Sequence, residues 1–157
     1  MKKEFSFSYQ HISNFDSLPT TYQKTVNACR EAKSEAYAPY SQFKVGAALL
    51  LENDEIITGN NQENKAYPSS MCAERVALYN YGAHSLHYKI KLLVVSGSGE
   101  LLRKEDIFSP CGACRQVMAE YADVQGEPFE ILLENQDGSF YLFDGIHHLL
   151  PLIFGNK

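Results

Sequence analysis

The chain has 157 residues, of which 45% are hydrophobic and 21% charged, a composition typical of one globular domain that can bury a core. Its net charge of −5, without a long block of lysine and arginine, argues against a nucleic-acid ligand and favours a small uncharged substrate, because a polynucleotide-binding protein needs a basic face. The longest apolar run, residues 45–51, is too short to cross a bilayer and no apolar secretory segment follows the N-terminal lysines, so we expect no membrane partner and a cytoplasmic location.

Residues 1–16 begin the chain with aromatic residues that alternate with polar ones, at Phe5, Phe7 and Tyr9. This pattern predicts a short strand, or an arm that lies against a partner chain. Residues 17–157 contain no repeat and no linker-like segment, and they are expected to form a single domain.

A helix and a hairpin are predicted next. Apolar positions along residues 18–37 fall near one helical face, and Pro39 ends the helix because the residue before a proline resists the helical conformation. Residues 43–51 are apolar and predict a buried strand, which a polar turn connects to a second strand at 55–58.

Residues 59–71 form a polar loop that is too long for a simple connection, which indicates a functional segment. Beyond it, helices alternate with apolar strands, and this order predicts helices on both faces of one sheet. The hairpins make the sheet mixed, so the expected fold is a three-layer α/β/α sandwich around a mixed five-stranded sheet. The predicted elements are helix 72–81 ended by Gly82, strand 90–95, helix 112–121, and strands 129–133 and 140–143 joined by a turn at Asp137-Gly138.

Two cysteines three positions apart, Cys111 and Cys114, lie at a predicted helix start directly after Pro110. This spacing lets two thiolates converge on one ion, and zinc accepts such soft ligands at about 2.3 Å. Amide groups at a helix N-terminus stabilise thiolates. Because redox and structural zinc sites also use this spacing, the pair alone does not define the chemistry.

A third cysteine, Cys72, also opens a predicted helix, and Glu74 follows it two residues later. Three thiolates leave one zinc position for water, as in catalytic sites, whereas structural sites usually have four protein ligands. A carboxylate beside that water is the acid/base arrangement that hydrolysis requires. Three thiolates also leave the centre negatively charged, which Arg75, or as a second candidate Arg115, would offset.

These residues also have structural interpretations. The fourth cysteine, Cys29, lies inside a predicted helix and is expected to be a small buried hydrophobic residue. Four cysteines could form two disulfides, but a cytoplasmic chain with this Cys-x-x-Cys pair favours metal binding. The main alternative to a catalytic centre is a structural zinc site that recruits His84 or His87.

At this point the sequence resembles the cytidine deaminase family, whose zinc signature includes a three-cysteine form with a glutamate that is not a ligand. The resemblance extends roughly over residues 37–154. It is carried by the segments APYSQFKVGAAL at 38–49, NQEN at 61–64, CAER at 72–75, PCGACRQ at 110–116 and LLP at 149–151.

The resemblance implies a role for each matching position. Cys72, Cys111 and Cys114 would bind one zinc ion per subunit, and Glu74 would shuttle protons. The implied substrate contacts are Phe43 in the nucleoside pocket, the Ala73 backbone at the pyrimidine, Asn61 and Glu63 at the ribose 3′-hydroxyl, and Tyr67 and Phe154 in the pocket of a neighbouring subunit of a homotetramer.

The implied activity is zinc-dependent hydrolytic deamination of cytidine and deoxycytidine in pyrimidine salvage, with release of ammonia. Gln62 stands where the family usually has an apolar residue, and Lys65 where it usually has a small one, which leaves the choice of base or sugar open. The alternatives are a deaminase of a modified or antibiotic aminoacyl-cytosine nucleoside of the blasticidin S type, a polynucleotide deaminase, and a non-catalytic zinc-stabilised binding module.

Overall fold

The structure, a computed structural model, describes residues 1–103 and 106–155. Within these residues the chain forms three α-helices and six β-strands. In chain order they are β1 Gln10–Ile12, α1 Thr20–Ser34, β2 Lys44–Leu51, β3 Ile56–Asn60, α2 Ala73–His84, β4 Ile90–Ser98, α3 Gly112–Gln125, β5 Glu130–Glu134 and β6 Phe140–Phe143.

These strands form one mixed sheet in the order β1-β6-β5-β4-β2-β3. β4 and β5 are parallel, and every other neighbouring pair is antiparallel. The predicted count of five strands is wrong by one, because β1 pairs with β6 of its own chain and becomes the edge strand, with Gln10 opposite Leu142. The aromatic alternation predicted a short strand at residues 5–9, and the structure places the strand just after it, at Gln10–Ile12. A three-residue strand has too few alternating positions to identify its neighbour from sequence.

Helices cover both faces of the sheet, which confirms the three-layer α/β/α architecture. Successive residues of a strand point to opposite faces. Leu92 of β4 packs in one core cluster with Val26 of α1. The next residue, Leu93, packs on the other face with Leu78 of α2 and Met118 of α3. Both faces of β4 are therefore buried, and this is why its sequence is continuously apolar.

The close approach of α2 to β3 depends on a glycine. A Cβ atom on Gly59 would lie 2.5 Å from the Ala77 nitrogen and 2.6 Å from the Ala73 oxygen, so a larger residue would push the helix away. Because Cys72 immediately precedes α2, this contact determines where that cysteine lies above the sheet.

The predicted end of α2 at Gly82 is wrong. The helix continues to His84, and the Ser85 backbone N–H donates to the Tyr81 oxygen. Gly82 instead packs against α3, where a Cβ atom would lie 2.1 Å from the Tyr121 hydroxyl oxygen. A glycine needed for close helix packing looks the same in sequence as one that ends a helix.

The other two helices also differ in length from their predictions. α1 ends at Ser34 instead of residue 37, and α3 continues past residue 121 to Gln125, where Gly126 caps it in the left-handed conformation at φ 78°. Within residues 1–103 and 106–155, every helix is too short or too polar to span a membrane.

Candidate metal centre and cavity

Three cysteine thiols meet where the N-termini of α2 and α3 converge. Cys72 is the N-cap of α2, Cys111 is the N-cap of α3, and Cys114 lies in the first turn of α3. Both helices therefore direct backbone N–H groups and the positive ends of their dipoles toward the sulfur atoms. This arrangement favours the thiolate form, which is the form that binds metals.

The sulfur atoms are spaced as ligands of one ion. Cys72 Sγ lies 3.9 Å from Cys111 Sγ, which lies 3.4 Å from Cys114 Sγ. Tetrahedral zinc with bonds of about 2.3 Å places its sulfur ligands about 3.8 Å apart. Cys29 is buried in the core, and all four cysteines are free thiols. The donor set therefore fits a thiolate-binding metal such as zinc.

Among residues 1–103 and 106–155, no histidine or carboxylate joins the three thiols in a group of mutually close ligand atoms. His84 ends α2, a full helix length from Cys72, and His87 lies beyond it. The structure therefore contradicts a four-ligand site that recruits either histidine. A metal ion at the thiols would keep a coordination position free of protein ligands.

Arg75 supplies positive charge beside the thiols. Its Nη2 donates to Cys72 Sγ at 3.5 Å, and its buried Nε has no hydrogen-bond partner among the described residues. A hydrogen bond from Cys114, together with the Arg75 guanidinium, lowers the pKa of Cys72 to about 5 against the opposing effect of burial. The hydrogen bond to Cys72 also raises the pKa of Cys114, so Cys72 ionises first.

Arg115, the second candidate for offsetting the thiolate charge, donates its hydrogen bonds to oxygen atoms and not to a thiol. Its Nε donates to the Pro110 oxygen at 2.8 Å, and its Nη1 and Nη2 donate to the Leu149 oxygen and Ser109 Oγ at 2.7 Å each. These bonds hold the segment before Cys111 against the C-terminal segment. Arg115 therefore positions a thiol rather than contacting one, and the distance along the sequence to Leu149 concealed this role.

Glu74 lies in the first turn of α2 and is only 4% exposed. Burial raises the pKa of this carboxyl group to about 7, and the charge of Cys72 acts in the same direction. The neighbouring Cys114 thiol opposes this rise and lowers the pKa of Glu74. The carboxyl group is thus held beside the thiols without joining their ligand group.

A cavity of about 400 Å³ opens beside the thiols, within the range of about 300–1,000 Å³ that is typical of small-molecule sites. The predicted site residues that line it are Phe43, Asn61, Glu63, Tyr67, Cys72, Ala73, Glu74, Arg75 and Cys111. Sequence reasoning assigned no role to several further lining residues, among them Ser41, Ser70, Leu101, Phe108 and Ser109.

One wall of the cavity is a hydrogen-bonded network around Glu63. Its carboxylate accepts the backbone N–H groups of Tyr40 at 2.8 Å and Ser41 at 3.2 Å, and it also accepts the Ser41 hydroxyl. Although burial opposes ionisation, these hydrogen bonds lower the pKa of Glu63. Ser41 Oγ in turn accepts the Phe43 N–H at 3.1 Å, so one serine fixes both a carboxylate and an aromatic ring.

Asn61 holds the other side of Phe43. Its Nδ2 donates to the Phe43 oxygen at 2.9 Å, and its Oδ1 accepts the Val45 N–H at 2.8 Å. A side-chain amide has two donor hydrogens and two acceptor lone pairs. Asn61 therefore retains one donor and one acceptor for a ligand after it has positioned the strand.

Tyr67 and Phe154 present large aromatic surfaces that this chain leaves uncovered. Tyr67 lines the chain's own cavity, is 72% exposed and meets the Tyr40 ring edge-on at a centroid distance of 6.2 Å. Phe154 is 87% exposed and lies outside the cavity lining. Its backbone exchanges two hydrogen bonds with the Gln116 side chain, which fixes the ring on the surface.

Comparisons with known proteins agree with this architecture. A family model described as the cytidine and deoxycytidylate deaminase zinc-binding region matches residues 19–125. A probable cytidine deaminase of Dictyostelium discoideum is 35% identical over 135 residues, which cover 86% of this chain and 84% of that protein. A cytidine deaminase of Sporosarcina psychrophila is 42% identical over 101 residues, which cover 64% of this chain and 70% of that protein.

Solved structures show the same fold. The crystal structure of cytidine deaminase from Burkholderia pseudomallei superimposes with a TM-score of 0.71 at 34% identity and covers 85% of this chain and 98% of its own. The structure of cytidine deaminase from Mycobacterium tuberculosis gives a TM-score of 0.61 at 27% identity, with 86% and 98% covered.

Fold, thiol cluster and buried carboxylate together define a hydrolytic deaminase of the layered α/β type. The chain belongs to the cytidine and deoxycytidylate deaminase family, and the matched region is the zinc-binding region of that family.

The thiol cluster predicts the metal content of variants. Cys111→Ala removes an exposed ligand thiol and should reduce bound zinc from about one ion per chain to nearly none after dialysis, because two thiolates hold the ion poorly. Cys29→Ala is the matched control, since Cys29 is a buried thiol outside the cluster, and it should retain its zinc. Elemental analysis by mass spectrometry measures both, and full zinc in Cys111→Ala would contradict the assignment.

Proposed function

We propose that this chain catalyses the hydrolytic deamination of cytidine and deoxycytidine to uridine and deoxyuridine with release of ammonia, as a step of pyrimidine salvage. The observation that carries the proposal is the buried Glu74 carboxyl group beside three thiols in a cavity that Glu63 and Asn61 also line. The relatives named as cytidine deaminases support the same activity.

One zinc ion per chain, held by Cys72, Cys111 and Cys114, would supply a Lewis acid that makes a water molecule acidic enough to attack near neutral pH. Arg75, through its contact with Cys72 Sγ at 3.5 Å, withdraws charge from the ligand set. This matters because three thiolates otherwise weaken the Lewis acid.

Glu74 moves the protons. Its carboxylate takes one proton from the attacking water and delivers it to ring N3 as the water oxygen bonds to C4. It then takes the remaining proton from that oxygen and delivers it to the amino group, whose bond to C4 breaks as ammonia leaves. Both protons of the water are thereby accounted for, one on N3 of the product and one on ammonia.

The nucleoside is held by the wall of the cavity that contains Glu63. A carboxylate has about four acceptor positions, and three of those on Glu63 are used by Tyr40 and Ser41. One position is left for a ribose hydroxyl, and Asn61 retains a donor and an acceptor for the same sugar. Phe43 packs against the nucleoside, and the Ala73 backbone at the start of α2 meets the pyrimidine.

We assign residues 17–157 to the catalytic domain, although residues 156–157 lie outside the described part of the chain, and residues 1–16 to an N-terminal arm. We also propose a cytoplasmic homotetramer with shared active sites. A reducing compartment keeps the cysteines available to metal, and the exposed rings of Tyr67 and Phe154 are suited to completing a neighbouring cavity.

The proton-transfer role predicts that Glu74→Gln retains zinc and loses turnover. Glutamine keeps the size of the side chain but cannot carry a proton, so kcat for cytidine should fall by about 10³-fold or more. Glu120→Gln is the control, because Glu120 is an exposed glutamate of α3, and its kcat should be unchanged. Loss of ultraviolet absorbance on mixing with cytidine measures both, and near-normal turnover in Glu74→Gln would overturn the role.

The network around Glu63 predicts that Ser41→Ala weakens substrate binding more than chemistry. Removing the hydroxyl frees one side of Glu63 and the Phe43 N–H, so KM for cytidine should rise about tenfold while kcat changes less than about threefold. Ser34→Ala is the control, since Ser34 also hydrogen-bonds a neighbouring glutamate, Glu35, but at an exposed remote position. An unchanged KM in Ser41→Ala would contradict the role of the Ser41 hydroxyl in positioning Glu63 and Phe43 for the substrate.

The shared-site proposal predicts four chains in sedimentation analysis of the zinc-loaded protein. Phe154→Ala should raise KM for cytidine about tenfold, because a buried aromatic contact at an interface is typically costly to lose. Leu152→Ala, at a residue that is 74% exposed, serves as the control and should leave KM unchanged. A fully active monomer would be inconsistent with this assembly.

A further inference from the structure

A second group of metal-ligating side chains lies near the β1–β6 edge of the sheet. Asp144 follows β6, and His147 and His148 lie in the single 3-10 turn Ile146–His148. Side chains three and four positions apart in a helical turn point to the same side. The ligand atoms of these three residues lie within 4.8 Å of one another, and none of the three lines the cavity beside the cysteines.

The distances suit one ion after small side-chain rotations. Asp144 Oδ1 lies 2.5 Å from His148 Nε2 and 3.7 Å from His147 Nε2. Ligand atoms of a four-coordinate ion with bonds of about 2.0–2.1 Å are about 3.3 Å apart. The side chains of Asp144 and His147 are 76% and 59% exposed, whereas His148 is 11% exposed. Two exposed side chains therefore face one that is largely buried.

The backbone orients the His147 ring for this role. A Cβ atom on Gly145 would lie 2.7 Å from His147 Nδ1, so the Nδ1 edge of the ring rests on the glycine. The Nε2 edge is left to face Asp144. Gly145 thus permits a ring position that a larger residue would prevent.

The charge around the group also favours a cation. Among residues 1–103 and 106–155, the ion-pair partners of Asp144 are the two histidines, which are cations only when protonated. Glu130 lines the same two cavities as Asp144. In the larger of these linings four carboxylates, those of Glu52, Glu127, Glu130 and Asp144, face the two ammonium groups of Lys89 and Lys91, so negative charge predominates beside Asp144.

We propose that Asp144, His147 and His148 bind a divalent transition-metal ion, such as zinc or nickel, through Asp144 Oδ1 and the two Nε2 atoms. Two imidazoles and a carboxylate are ligands that ions of this class prefer, whereas magnesium and calcium prefer oxygen alone. Water completes the coordination, since the group lies at the surface. This site is independent of the three-cysteine centre and of the proposed deaminase activity.

Metal binding at this site releases Ser8 from His148, while the pairing of β1 with β6 holds residues 10–12 in place. The Ser8 backbone N–H donates to His148 Nδ1 at 3.2 Å, so Nδ1 carries no proton and Nε2–H donates to Asp144. An ion on Nε2 requires the proton to reside on Nδ1. Two N–H groups would then face each other, and the contact between Ser8 and His148 is lost.

Calorimetric titration of the zinc-loaded protein with Ni²⁺ at neutral pH tests the site. The wild-type protein should bind one Ni²⁺ ion while retaining its cysteine-bound zinc, and Asp144→Asn and His147→Gln should each weaken this binding at least about tenfold. The matched control is His84→Gln with His87→Gln, which removes two exposed histidines elsewhere and should leave Ni²⁺ binding unchanged. Retained zinc in every variant shows that each is folded.

Hydrogen exchange measured by mass spectrometry over residues 1–9 tests the coupling, and Ni²⁺ should accelerate exchange of the Ser8 amide in the wild type but not in Asp144→Asn. Absence of a Ni²⁺ site, or a site unaffected by both ligand substitutions, would refute the proposal. Ni²⁺ binding without faster exchange at Ser8 would refute the release of Ser8 from His148.

Discussion

The molecule depends on two helix N-termini that converge on one side of the sheet. α2 and α3 each begin with a cysteine at the N-cap, so the unpaired N–H groups of both helices face the same small volume. Sulfur atoms placed there become anionic at low cost. Glu74 and Arg75 follow Cys72 in the first turn of α2, and Cys114 follows Cys111 in the first turn of α3. Short sequence spacings therefore suffice to bring these side chains together.

The converging thiols concentrate negative charge, which nearby groups must offset. Thiolates that lie close together repel one another and any nearby carboxylate. Burial raises the pKa of Glu74, and the charge of Cys72 raises it further. Arg75 lies one residue further along α2 and donates to Cys72 Sγ. Arg115 donates to two carbonyl groups and one hydroxyl group and contributes rigidity. The start of α2 thus places a thiol, a buried carboxyl group and a cation within one turn.

The sequence predicted those features that depend only on residues close together in the chain. The apolar run of β4 and the cysteine pair after Pro110 define a buried strand and a helix start without reference to distant residues. Gly82 was misassigned because its constraint is the Tyr121 side chain on another helix. The pairing of β1 with β6 and the clamp between Arg115 and Leu149 depend in the same way on long-range contacts, which a single sequence does not reveal.

The two departures from the family pattern in the loop after β3 show how the cavity tolerates change. Gln62 exchanges backbone hydrogen bonds with Met71 at 2.9 and 2.8 Å, and its side chain donates to Asn60 Oδ1 at 2.6 Å. Gln62 and Lys65 are both exposed and neither lines the cavity. Because backbone pairing fixes the loop, its alternate residues Asn61 and Glu63 line the cavity, whatever side chain stands between them. The side chains of Gln62 and Lys65 therefore contribute to the protein surface and leave the cavity lining of this chain unchanged.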